Sequence, residues 1–348
     1  MNVSAVDLFC GAGGLTHGLM AGGVQVRAGY DIDNACKWPF ERNNKGAKFF
    51  GQDVSALTGE QLSTWFKPGE IKLLAGCAPC QPFSTYSLGK TDSTDKRWSM
   101  LSEFQRLVDE LKPDLVTMEN VPQLMKHEVF TNFVTALQAD YYVSVRTVLC
   151  TEYGIPQTRK RLVLLASKFG PIELRQKDPK KDKLRSVSAV IGKMPHLEAG
   201  QQDASDPLHI CSALSPQNEI RIKASLPGGS WRDWDSELVA ECHRGEAGKS
   251  FSSVYGRMEW EKPSPTITTQ FFGFGNGRFG HPEQDRALSL REGALLQTFP
   301  KKYSFVKPGT RVEMKNIGRL IGNAVPVKLG TVIAESIAAH LSRHRPPD

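Results

Sequence analysis

A cysteine carried between two prolines is the part of this sequence best equipped for chemistry. In Gly76-Cys77-Ala78-Pro79-Cys80-Gln81-Pro82-Phe83-Ser84 the second cysteine is the candidate nucleophile. Each proline fixes its own φ and restricts the residue before it, so the Cys80 thiol rides on a stiff backbone. A C-x-x-C pair can cycle as a dithiol, supply half of a zinc site, or combine one nucleophile with one inert thiol. No second C-x-x-C and no closely spaced Cys/His pair completes a tetrahedral ligand set, which argues against a metal. Cys77, beside the apolar run Leu73-Leu74-Ala75, reads as a buried structural thiol.

The elements around this loop supply a cradle. Residues 4–9 read as a buried strand running into Cys10-Gly11-Ala12-Gly13-Gly14-Leu15, a glycine turn that lets backbone approach a ligand at a helix start. As a G-x-G-x-x-G fingerprint it is imperfect, because Thr16 stands where the third glycine belongs. A second strand at residues 24–30 ends at Asp31, twenty residues after Gly11, where a carboxylate can bind ribose hydroxyls or simply cap a helix ahead of Asn34. Asp53, after a third strand at 48–50, is placed to accept from an adenine amine. Further strands are predicted at 73–75, 115–118, 142–149 and 162–166, with helical apolar spacing at 38–43, 100–111 and 129–139. Alternating strands and helices predict an α/β fold with a doubly wound, mainly parallel sheet, Rossmann-like, whose functional loops lie at the strand ends.

After Ser167 the periodicity fails. Residues 167–304 are rich in Gly, Pro, Trp and Arg and read as a smaller irregular domain of loops and short strands. Order returns at Ile321-Gly322-Asn323-Ala324-Val325, followed by a helix with Leu329, Ile333, Ile337 and Leu341 on one stripe, so 1–166 and 305–348 are expected to form one domain. Of the 348 residues 40% are hydrophobic and 23% charged, the composition of a globular protein. No apolar run approaches a membrane span, and the N-terminus lacks a signal peptide's basic and apolar regions, so a cytoplasmic location is expected. Seven irregularly spaced cysteines suggest reduced thiols rather than a disulfide framework. The net charge is +7, yet residues 157–193 alone hold eleven Lys and Arg against three Asp and Glu, an excess larger than that of the whole chain. That segment is a candidate phosphate footprint or, on the plainer reading, a solvated loop.

Taken in order, these segments resemble the cytosine carbon-5 DNA methyltransferases along nearly the full chain. Asp7-Leu8-Phe9-Cys10-Gly11-Ala12-Gly13-Gly14 is similar to the family's S-adenosylmethionine motif and Pro79-Cys80-Gln81 to its catalytic motif. Glu119-Asn120-Val121 is similar to the family's Glu-Asn-Val, Gln157-Thr158-Arg159-Lys160-Arg161 to Gln-x-Arg-x-Arg, and Gly322-Asn323-Ala324-Val325 to the last cofactor motif. The resemblance implies S-adenosylmethionine as cofactor, held by Phe9 stacking on adenine and by Gly11, Ala12, Gly13, Gly14, Asp31, Ile32, Asp53, Pro79, Met100 and Asn323. Ile32 departs from a position that is often aromatic. It implies duplex DNA as partner, no membrane and no metal, a monomer on DNA, and a nucleoid-associated enzyme that works apart from any cognate restriction endonuclease.

The chemistry so implied accounts for the residue types. Carbon 5 of cytosine is a poor nucleophile until the Cys80 thiolate adds at carbon 6 and makes the ring an enamine. Charge then moves toward ring nitrogen 3, where Glu119 is expected to act with a proton; alone, Glu119 could be a helix N-terminal acid before Pro122. Arg159 and Arg161 are expected to hold the base carbonyl oxygen and a nearby phosphate, with plain salt bridging as the alternative. The base must be flipped from the duplex, under a loop at 84–98 whose Ser84, Lys96 and Arg97, with Gln81, touch DNA. Lys177, Lys180, Lys181 and Lys183 are expected on phosphates, and Arg232, Arg257 and Arg278 on guanine edges. Three rivals remain: the same reaction on RNA, as in the family's tRNA-methylating branch; a nicotinamide or thiol oxidoreductase built on the glycine turn, Asp31 and C-x-x-C; and a non-enzymatic DNA-binding module, for which the basic segment suffices but the placed thiol does not.

Overall fold

The computed structural model describes residues 2–79 and 99–344, and these fall into two compact units. Cys80, Gln81, Ser84, Lys96 and Arg97 lie outside the described residues. The first unit comprises Met1–Tyr153, Lys160–Pro179 and Ala324–Asp348; the second comprises Gly154–Arg159 and Lys180–Asn323. Compared with the borders drawn from composition, the second unit starts later and runs on through residue 323, and it also takes the short segment that carries Arg159.

The first unit is a seven-stranded sheet of β1 (Val3–Leu8), β2 (Gln25–Asp31), β3 (Lys48–Gly51), β4 (Ile71–Gly76), β5 (Leu115–Asn120), β6 (Tyr142–Leu149) and β7 (Lys160–Ser167) in the order β3-β2-β1-β4-β5-β7-β6. All seven correspond to predicted strands. β1, β2, β3, β4 and β5 pair in parallel, while β7 runs antiparallel between β5 and β6. The short connection from β6 to β7 explains this, since only an antiparallel return can dispense with a long crossover. β1 and β5 are buried along their whole length, as strands covered on both faces must be.

Helices α1 (Gly14–Ala21), α2 (Lys37–Asn43), α3 (Gly59–Ser63), α4 (Ser99–Leu111) and α5 (Glu128–Leu137) connect the strands. In α4 the residues Leu101, Phe104, Leu107, Val108 and Leu111 recur at helical spacing and sink into one core with Phe130, Phe133 and Leu137 of α5. The predicted stripe of the C-terminal helix Val327–Arg343 is buried, and this helix packs against α1. The approach is close because glycines face it: a Cβ on Gly18 would lie 2.2 Å from the Val327 carbonyl oxygen. The helix is also tied to the end of β7, where the Ser167 hydroxyl meets His340 Nε2 at 2.7 Å, and to the segment after it, where Arg175 pairs with Glu335 at 2.5 Å.

Two expectations need correction. The second unit holds short helices, among them Pro216–Ala224, Leu290–Leu296 and Met314–Asn323, with only isolated bridges among its described residues in place of the expected short strands. Its order comes from packing instead, around Ile222, Trp231, Trp234, Val254, Phe274 and Ala287. And residues 314–343 are together long and apolar enough to span a membrane by length and composition, although they form two helices interrupted at 324–326 and 78% of the most apolar window is buried.

Candidate active site

At the end of β1 the backbone turns sharply. Phe9, Gly11 and Gly13 all adopt left-handed conformations, with φ of 56°, 52° and 87°. For the glycines this is easy, while for Phe9 it stores about 1 to 3 kcal/mol of strain, of the kind held at ligand clamps. Gly13 then caps α1 with no side-chain bond. Asp31, the last residue of β2, reaches across with Oδ2 to accept the Gly11 amide at 2.9 Å, while Oδ1 accepts the Asp33 amide at 2.9 Å. The capping job considered for Asp31 belongs to Asp33, which accepts from Ala35 N. Asp53 accepts from Ser55 N at 2.9 Å and starts a short 3-10 turn.

Thr16 has its own reason for replacing the third glycine. Its hydroxyl donates to Asp7 Oδ2 at 2.5 Å. Asp7 is buried in β1, and burial, reinforced by Asp31 and opposed by the Thr16 bonds, pushes its carboxyl up to about 7. Ile32 stands 70% exposed just beyond Asp31, an apolar side chain open at the mouth of the cradle. A Cβ on Gly11 would meet nothing within 4 Å. The left-handed turn, an uncapped helix start, an ordered carboxylate and an exposed apolar face suit a nucleoside-bearing cofactor. Of the remaining expected contacts, Met100 is half-buried in the first turn of α4, and Asn323 is exposed at the end of its own helix in the second unit.

The second cluster sits at the adjoining strand ends. Glu119 on β5 is 2% exposed, and its Oε1 lies 2.7 Å from Arg161 Nε on β7. The sheet register makes this pair: Glu119 faces Val163, and Arg161 lies two residues from Val163 on the same face. Arg161 also donates to the Lys160 carbonyl at 2.7 Å. From the end of β4 the Cys77 thiol donates to Glu119 Oε2 at 3.1 Å, and Asn120 Nδ2 donates to the Ala78 carbonyl at 3.1 Å. The loop entering Pro79-Cys80 is thereby held from β5, and Cys77 is a half-buried partner of Glu119 rather than inert core.

Other expected site residues have different work. Arg159 is 3% exposed in the second unit and donates to the carbonyls of Ile267 at 3.0 Å and Gly322 at 3.5 Å, a commitment that does not fit a phosphate contact. Arg257 is 5% exposed; it bonds the carbonyls of Ile222, Ser225, His281 and Gln284 and pairs with Asp285, so it bolts the second unit together instead of reaching a base. Arg278 is half-buried and braces the turn at the carbonyls of Gly228 and Gly229. Arg232 is exposed, lies 5.6 Å over the Trp231 ring and donates to the Lys249 carbonyl. Asn120 and Asp7 stand in the sequence only as members of their motifs, and Cys77 only as a structural thiol, with no hint of the bonds they make here. An acid inside an apolar strand was the available signal for Asp7.

Comparison with known proteins agrees with this geometry. The family of C-5 cytosine-specific DNA methylases matches residues 3–339. The chain is 49% identical to the type II methylase M.HgiDII of Herpetosiphon aurantiacus, over 97% of this chain and 96% of that protein. It is 28% identical to the type II methyltransferase M1.HphI of Haemophilus parahaemolyticus, over 97% and 87%. Its fold resembles that of Spodoptera frugiperda DNMT2, with a TM-score of 0.67 at 18% identity, covering 97% of this chain and 99% of that one. With a catalytic motif, a cofactor cradle and a family match that all span the same chain, this protein belongs to the C-5 cytosine-specific DNA methylases.

Proposed function

We propose that the protein transfers a methyl group from S-adenosylmethionine to carbon 5 of a cytosine flipped out of a specific duplex DNA sequence, as the modifying enzyme of a type II restriction–modification system. The observation that carries this reading is the convergence of Glu119, Arg161 and the Cys77-Ala78 segment at the ends of β4, β5 and β7, directly before the Pro79-Cys80-Gln81 motif in the sequence. S-adenosylmethionine supplies a methyl group on a positively charged sulfur, which is electrophilic enough for an enamine carbon.

The Cys80 sulfur forms a bond to carbon 6, and the electron pair of the 5,6 double bond becomes available at carbon 5. Glu119 hydrogen-bonds ring nitrogen 3 and stabilises the charge that addition creates there, while Arg161 fixes that carboxyl and faces the base carbonyl. Once carbon 5 has taken the methyl group, loss of its proton expels the thiolate and restores the double bond. Asn120 keeps the nucleophile's loop in place through Ala78, which matters because a misplacement of about 1 Å can cost about 100-fold in rate. Phe9, Gly11, Ala12, Gly13, Gly14, Asp31, Ile32, Asp53, Pro79, Met100 and Asn323 hold the cofactor.

The second unit reads the target, with Arg232 the remaining candidate for a base edge. Lys177, Lys180, Lys181 and Lys183 contact phosphate. The enzyme acts on DNA as a monomer in the cytoplasm, and the cognate endonuclease acts separately. Transfer of a labelled methyl group to duplex DNA tests the reading: wild type incorporates label, and Cys80→Ser binds cofactor but incorporates none. Normal turnover by that variant, or label entering tRNA and not DNA, would sink it.

A further inference from the structure

We infer that Cys77 is a positioning residue for the methyl transfer, its thiol fixing the carboxyl plane of Glu119. The inference rests on the reading of Glu119 as the group that meets ring nitrogen 3.

The placement follows from the sheet. β4 and β5 pair in parallel with Gly76 opposite Met118, so the next step of the register sets Cys77 beside Glu119. The backbone is anchored there, since Cys77 N donates to the Leu8 carbonyl at 3.3 Å and Ala78 is gripped by Asn120 at 3.1 Å. Arg161 Nε pairs as an ion with Oε1, at 2.7 Å. A carboxyl clamped at one oxygen still turns about that contact. The Cys77 thiol takes the other oxygen, at 3.1 Å, and removes the rotation. Oε2 meets ring nitrogen 3 by donating a carboxyl O–H and still accepts the Cys77 thiol on a lone pair, so it can serve both. Cys77 and Arg161 thus approach from opposite neighbours of β5 and leave the carboxyl a single orientation.

Four variants test this: Cys77→Ala, Cys77→Ser, Glu119→Gln and the double variant Cys77→Ala with Glu119→Gln, each checked for folding by thermal melting and assayed in steady-state methylation of duplex DNA. Cys77→Ala is expected to lower kcat about tenfold, the effect of one hydrogen bond to a charged group, with KM for DNA unchanged. Cys77→Ser retains a donor of nearly the same size and should recover to within about threefold of wild type. In the Glu119→Gln background, Cys77→Ala should cause little additional loss, because the two residues act as one unit. Wild-type kcat for Cys77→Ala beside an impaired Glu119→Gln would remove Cys77 alone. So would equal defects in the alanine and serine variants, or the full tenfold loss persisting in the Glu119→Gln background. A fully active Glu119→Gln would instead remove Glu119 from the chemistry, and the positioning role with it.

Discussion

Replacing Asp7 by asparagine should make the protein more stable at neutral pH, and the gain should vanish in acid. Asp7 is 1% exposed in β1; its Oδ2 is satisfied by Thr16, while Oδ1 has no hydrogen-bond partner among the described residues. Its carboxyl is raised from 3.8 to about 7, chiefly by burial. Below pH 3.8 the folded and unfolded chains are both protonated at this site and no penalty arises. Between 3.8 and about 7 the unfolded chain ionises and the folded one does not, so stability falls by about 1.4 kcal/mol per pH unit and the penalty is complete above 7. A shift of this size amounts to roughly 4 kcal/mol. The asparagine side chain would escape it while retaining an acceptor for Thr16, so the expected net gain at about pH 8 is about 2 to 4 kcal/mol once a weaker hydrogen bond is subtracted. Chemical denaturation of both proteins from about pH 4.5 to about pH 8 reads the difference directly, across the window in which the two states differ in protonation. A stability difference that does not change with pH, or a variant less stable than wild type above neutrality, would refute the reasoning. The cost falls on the strand that carries the cofactor turn, as expected where function opposes stability.

Gly18→Ala should destabilise the first unit by about 2 kcal/mol or more, because the new methyl would lie 2.2 Å from a backbone oxygen of the C-terminal helix, whereas Gly245→Ala, with nothing within 4 Å, should be near neutral; thermal melting compares them. Neutralising Lys177, Lys180, Lys181 and Lys183 should weaken DNA binding at all sequences alike and flatten its salt dependence, measured by titration at several ionic strengths. Arg232→Ala should change which site is methylated in a randomised duplex library, while Arg257→Gln should lower folding stability without changing base preference; the opposite pattern would return Arg257 to the recognition surface.

The sheet was legible because β1, β4 and β5 are short, apolar and bounded by glycine or proline, and because α4 repeats its apolar residues at helical spacing. Glu119 and Arg161 could be named from their motifs, yet their meeting is a matter of register, which a linear pattern does not carry. The same holds for Cys77, whose neighbour on β5 is 42 positions away. The second unit was least legible. Its order comes from side chains such as Arg257 and Arg159, which spend their donors on distant backbone carbonyls, and nothing local in the sequence separates such an arginine from one that faces solvent or DNA.

Everything proposed for the reaction turns on the bond between Cys80 and carbon 6 of the target cytosine. Duplex DNA with 5-fluorocytosine at the methylated position, incubated with the protein and S-adenosylmethionine, tests it most directly, since fluorine cannot leave as the proton does and the adduct should persist. Peptide mapping by mass spectrometry is expected to find the modified nucleotide on Cys80. Methylation of the unmodified duplex with no trapped adduct, or an adduct on Cys77 or any other residue, would contradict the mechanism.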